Sequence, residues 1–158
     1  MKILGIDPGF GLCGFAVLAG ENSEFKLENF GVISTKPQVL FSTRLMEIAD
    51  DFQFLLNKYQ PQIVAIEDLF FAKNVTTGLQ VAQVRGVLIY LAKKFGCQVI
   101  EPKPSEVKSS FTGNGQAGKS EIKKMAKMIF NLEQTPQVDD AADAIAIAFF
   151  ATQKFRGE

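Results

Sequence analysis

The chain has 158 residues, 47% of them hydrophobic, and its 17 basic and 17 acidic side chains cancel. That length and apolar content suit one domain, residues 1–158, with a real core, and zero net charge rules out attraction to polyanions by bulk charge alone. The two cysteines, Cys13 and Cys97, belong to no Cys-x-x-Cys pair, and the absence of histidine removes the usual acid–base side chain near neutral pH.

In chain order, residues 2–7, 11–19 and 24–35 read as three strands separated by the turn signals Pro8-Gly9 and Gly20-Glu21-Asn22-Ser23. Such short turns predict an antiparallel meander. The opening Met-Lys-Ile-Leu-Gly-Ile-Asp enters a core strand without the regions of a signal peptide, and no apolar stretch is long enough to span a bilayer. A cytoplasmic protein is therefore expected. From 39 to 59 the period changes: Phe41, Leu45, Ile48, Phe52, Leu55 and Tyr59 recur every three or four residues, the stripe of an amphipathic helix closed by Pro61. Ile63 to Ile66 is a short apolar strand, 75–95 a second long helix stopped by Gly96, and Cys97 to Ile100 a fifth strand. A Gly-rich stretch from Thr112 to Gly118 reads as a flexible loop, followed by helices over 119–130 and 139–153. This order predicts an α/β fold of ribonuclease-H-like type: a mixed five-stranded sheet, three antiparallel strands then two parallel, with helices on both faces.

Four carboxylates stand beside these apolar segments. Asp7 and Glu67 end two strands, while Asp140 and Asp143 lie three residues apart on the last helix, where such positions share a face. Like charges gathered in a folded site are costly unless a cation or protons neutralise them, and hard oxygen ligands suit Mg²⁺ or Mn²⁺. The chemistry suggested is phosphoryl transfer. Asp139 and Asp140 are both within one turn of Asp143, so spacing alone does not choose between them. From Lys103 to Phe130, six lysines face two glutamates, a local excess of +4 that suits either a nucleic-acid backbone or solvent. Taken singly, Asp7 could start a turn, Asp140 cap a helix, Phe70 join the core, and Lys73 and Arg85 meet solvent.

Two phosphate-loop patterns compete for attention. Gly113-Asn114-Gly115-Gln116-Ala117-Gly118-Lys119-Ser120 matches G-x-x-x-x-G-K-[ST], but the preceding segment, 106–111, is too polar for a buried strand. Only 38 residues follow Ser120, too few for the remaining parallel strands of an ATP-binding domain. Its glycine-rich amides, helix start and Lys119 would suit one nucleic-acid phosphate. Asp7-Pro8-Gly9-Phe10-Gly11-Leu12-Cys13-Gly14 is similar to the loop of actin-like ATPases, which clamp nucleotide between two domains. One chain of this length does not supply both.

Gly5-Ile6-Asp7-Pro8-Gly9, the segment Ala65 to Asn74, Gln83-Val84-Arg85-Gly86 and Asp140-Ala141-Ala142-Asp143 with its apolar continuation resemble the RuvC-type Holliday-junction resolvases, in family order from end to end. The resemblance implies a homodimeric endodeoxyribonuclease that resolves four-way DNA junctions by paired symmetric nicks, using two Mg²⁺ ions per site or Mn²⁺ in their place. It places Asp7, Glu67, Asp140 and Asp143 as catalytic metal ligands and favours Asp140 over Asp139; Lys119 is then the candidate for charge stabilisation or proton transfer at the transition state. Phe70, Lys73, Asn74, Arg85, Lys108 and Lys119 become the expected DNA-contacting residues, and a branch-migration helicase the expected partner. The alternatives are a related nuclease that trims ribosomal RNA precursors and a junction-binding module without catalysis.

Overall fold

A computed structural model describes residues 1–70 and 74–154. Three strands form the meander, β1 (Lys2–Asp7), β2 (Leu12–Glu21) and β3 (Glu24–Ser34). Helix α1 (Phe41–Tyr59) leads to β4 (Ile63–Ile66), and α2 (Val75–Phe95) leads to β5 (Gln98–Ile100). Helices α3 (Pro104–Thr112), α4 (Lys119–Phe130) and α5 (Asp139–Lys154) complete the described chain. The sheet order is β3-β2-β1-β4-β5, antiparallel across the meander and parallel from β1 through β4 to β5.

The sheet is covered on both faces, which the unbroken apolar runs of β1 and β4 require. Because strand side chains alternate, Ile3, Ile63 and Ala65 face a core built with α3, α4 and α5, while Leu4, Ile6, Val64 and Ile66 face α1 and α2. The same alternation sends Asp7 and Glu67, the next residues in phase with Ile3 and Ala65, to the α5 side.

Helix ends follow the sequence signals closely. Gln60 and Gly96 close α1 and α2 in the left-handed conformation, and the Asn74 side chain caps α2 by accepting from the Thr77 amide at 3.3 Å.

One helix lies where the sequence pattern predicted none. A nine-residue helix, α3, occupies a stretch whose polarity concealed it: Pro104 pre-sets its first turn, Glu106 accepts from the Lys103 amide, and only Val107 and Phe111 are buried. The Gly-rich stretch after α3 is a loop, as expected, with local contacts of its own. The Thr112 hydroxyl donates to the Lys108 carbonyl, the Asn114 side chain accepts from the Gln116 amide, and Ala117 is buried in the core. A helix before Gly113, where a P-loop has a strand, also removes the ATP-binding reading.

Candidate active site

Strand pairing brings the first two carboxylates side by side. Ile6 lies opposite Ile66 in parallel register, so Asp7 and Glu67 follow as neighbours, and the Glu67 amide donates to the Ile6 carbonyl at 3.2 Å. The helical pair arrives by close approach of α5 to the sheet. Gly14 is the β2 partner of Asp7, and a Cβ there would collide with the Asp140 carbonyl oxygen. At Gly5 a Cβ would lie 2.5 Å from both the Ala144 carbonyl oxygen and the Ala148 amide nitrogen. These glycines permit backbone-to-sheet contact that places Asp140 against Asp7. Glycine inside a strand was the available signal for their role.

The electrostatics record the crowding. Burial first, then the charges of Glu67, Asp143 and Asp140, hold the Asp7 carboxyl well above its ordinary value, and Asp140 also shares a hydrogen bond with it. Burial and Asp143 push Glu67 up to about 7, against a smaller opposing effect of Lys108. Burial and Asp140 raise Asp143 to about 6, with Lys108 and Lys119 opposing. Cys13, buried beside Asp7 and Asp140, is pushed up to about 12 and stays an inert thiol.

Among the described residues, no three Asp, Glu or Cys side chains are already drawn close enough together to hold a metal ion. The four carboxylates stand within electrostatic reach of one another, and burial together with the neighbouring negative charges raises Asp7, Glu67 and Asp143, a cost that a divalent cation would relieve. An all-oxygen, open donor set fits Mg²⁺, which keeps several ligands that are not protein.

The other anticipated residues divide sharply. Phe70 is 75% exposed, away from the core that claims most of the phenylalanines. Lys108, on α3, faces Glu67 and Asp143. Lys119 opens α4 and pairs with Asp139 at 3.1 Å, while Lys123 reaches the same carboxylate at 2.7 Å. These two lysines hold the Asp139 carboxyl below its ordinary value. That engagement sets Asp139 apart from Asp140, the distinction spacing left open. Arg85, expected toward DNA, points inward: its side chain is only 12% exposed, Nε donates to the Glu67 carbonyl at 2.9 Å, and a terminal nitrogen lies 2.5 Å from Glu101. Lys73 lies outside the described residues.

The family described as crossover junction endodeoxyribonuclease RuvC matches residues 3–151. The chain belongs to the RuvC family. A RuvC of Thermosipho melanesiensis is 41% identical over 149 residues, covering 94% of this chain and 95% of the relative. That of Brevibacillus brevis is 42% identical over 153 residues, covering 97% and 92%. Among solved structures, Thermus thermophilus RuvC in complex with a Holliday junction substrate matches with a TM-score of 0.90 at 30% identity, covering 99% of this chain and 95% of that one. The expected ribonuclease-H-like fold is thus the RuvC fold, including its mixed five-stranded sheet. The RNA-processing and non-catalytic alternatives find no support among these RuvC relatives.

Proposed function

We propose that this protein is a Mg²⁺-dependent endodeoxyribonuclease that resolves four-way DNA junctions by paired nicks during recombination and repair. The observation that carries the reading is the meeting of Asp7, Glu67, Asp140 and Asp143 at one end of the sheet, on a chain that belongs throughout to the RuvC family. Two Mg²⁺ ions held by these carboxylates would supply an activated water and neutralise charge at the scissile phosphate. Asp7, with the charges of the other three acting on it, would be a ligand in such a site.

The remaining residues hold the substrate. The Lys119 side chain, 77% exposed and paired with Asp139 at the surface, can exchange that partner for a phosphate oxygen and stabilise charge in the transition state. Lys108 flanks the carboxylates from α3 and offsets part of their repulsion of DNA. Lys123 and Lys124 line the same concavity of about 380 Å³ as Lys119 and extend the basic surface. Phe70, following Glu67 by three residues, stacks on or wedges between bases at the junction centre, with Lys73 and Asn74 as further DNA contacts from the same segment.

Symmetric nicking calls for two identical sites, which a C2 dimer supplies. Helix α2 is the proposed seam: Tyr90 is exposed, and Leu45, Ala49, Val87 and Leu91 line an apolar groove of about 550 Å³ beside it. A branch-migration helicase is the proposed further partner, the cytoplasm the proposed site of action, and residues 1–158 one nuclease domain. Among the described residues, no helix is long and apolar enough to cross a membrane.

Incubating the purified protein with a synthetic mobile four-way junction, with and without Mg²⁺, tests substrate, reaction and cofactor together. Paired nicks only with Mg²⁺, lost in Asp7→Asn while junction binding persists, are the expected result. Equal cleavage of duplex DNA or structured RNA, or binding without nicking, overturns the reading.

A further inference from the structure

Arg85 is a largely enclosed cation, its side chain 12% exposed, that the proposed chemistry leaves without a task. It follows the fully buried Val84 on α2 and directs its guanidinium at the ends of β4 and β5. Three acceptors converge there: the Glu67 carbonyl oxygen at 2.9 Å from Nε, and Glu101 at 2.5 Å and Asp68 at 3.3 Å from one terminal nitrogen.

The location gives this clamp its importance. Glu67 lies one residue beyond β4, where the regular ladder ends. Its amide is still held by the Ile6 carbonyl on β1, and the next amide, that of Asp68, donates to the Pro102 carbonyl at 2.8 Å. Between those two anchors the Glu67 carbonyl is taken by Arg85. The peptide unit that fixes the Glu67 Cα–Cβ direction is therefore restrained from β1, from the segment after β5 and from α2. The arginine binds the backbone of Glu67, and the groups acting on its carboxylate are Asp143 and Lys108.

We infer that Arg85 is a positioning residue that aims the Glu67 carboxylate into the acidic site, and so sets the site's affinity for divalent cations without touching DNA. Arginine is suited to this as lysine is not: a planar fork satisfies a carbonyl on one edge and carboxylates on another, whereas one ammonium is a compact point charge. Its loss would also leave Asp68 and Glu101, 44% and 46% exposed, without the cation that holds them together. The activity readout rests on the nuclease function proposed above; the binding readouts do not.

The test uses the full chain with Arg85→Gln, Arg85→Lys and Glu101→Gln. Mn²⁺ binding is measured without DNA by electron paramagnetic resonance, junction binding in EDTA across a salt series, and nicking against Mg²⁺ concentration. Expected for Arg85→Gln and Arg85→Lys is Mn²⁺ binding weaker by about tenfold, the scale of groups that support metal ligands from outside. The Mg²⁺ midpoint for nicking should rise alike, with the rate largely recovered at high Mg²⁺ and junction affinity in EDTA unchanged. Glu101→Gln, which leaves the arginine on Glu67, should shift the midpoint the same way by a smaller factor and decides the matter if the Arg85 variants do not fold. An unchanged midpoint with a lowered Tm makes Arg85 merely structural and overturns the inference. So does weaker binding in EDTA with a salt slope reduced by about 1, the mark of a phosphate contact. If the wild type does not nick junctions, the function proposed above fails while the Mn²⁺ comparison still tests this inference.

Discussion

Glu67→Gln should abolish nicking and, at the same time, make the metal-free protein more stable. Burial and Asp143 raise the Glu67 carboxyl from its ordinary 4.5 to about 7. The folded chain therefore binds that proton more tightly than the unfolded chain, and stability falls as pH rises from about 4.5 to about 7. With each tenfold change in proton affinity worth about 1.4 kcal/mol, the charged side chain costs the fold about 3 kcal/mol above pH 7. A glutamine of the same shape carries no charge and removes most of that cost. For a domain of this size the gain corresponds to roughly 6–12 °C in Tm. Thermal and urea unfolding in EDTA at pH 8 should show the variant more stable, and the difference should nearly vanish at pH 4, where the wild-type carboxyl is protonated in both states. Saturating Mg²⁺ should raise the Tm of the wild type but scarcely that of the variant. A Glu67→Gln protein no more stable than wild type at pH 8, or an advantage that persists at pH 4, would refute the argument that burying this charge beside Asp143 costs the metal-free fold stability.

Lys119→Ala should lose nicking while keeping the fold, because the side chain is 77% exposed and its surface pair with Asp139 contributes little; a single-turnover cleavage assay checks this, and tight ATP binding by the wild type that disappears in the variant would restore the P-loop reading. Phe70→Ala should leave Tm within about 2 °C of wild type yet lose junction cleavage, since base stacking is worth about 1–3 kcal/mol per base; a large drop in Tm would return Phe70 to a packing role. Gly14→Ala should cost about 1–3 kcal/mol in urea unfolding and also abolish nicking, because the added methyl displaces the Asp140 backbone from Asp7; normal activity would mean that the close approach of α5 is not what builds the site.

Local pattern determined much of this protein. Alternation and turn residues set the meander, the 3.6-residue stripe set α1, and Gly96 fixed the end of α2, because each signal acts over neighbours within one element. The candidate set of four carboxylates was legible for the same reason: acidic residues at apolar strand ends and on one helical face are locally conspicuous, and they stand in one family's order. Helix α3 was not, since Val107 and Phe111 gain their apolar surroundings only when α5 packs over them. Asp139 and Asp140 are equivalent by spacing; tertiary structure separated them by giving one two lysines and the other Asp7. Arg85 looked like a solvated cation until the ends of β4 and β5 supplied three acceptors from Glu67, Asp68 and Glu101. Charge and burial at such positions are properties of what the fold brings near, and no reading of flanking residues contains them.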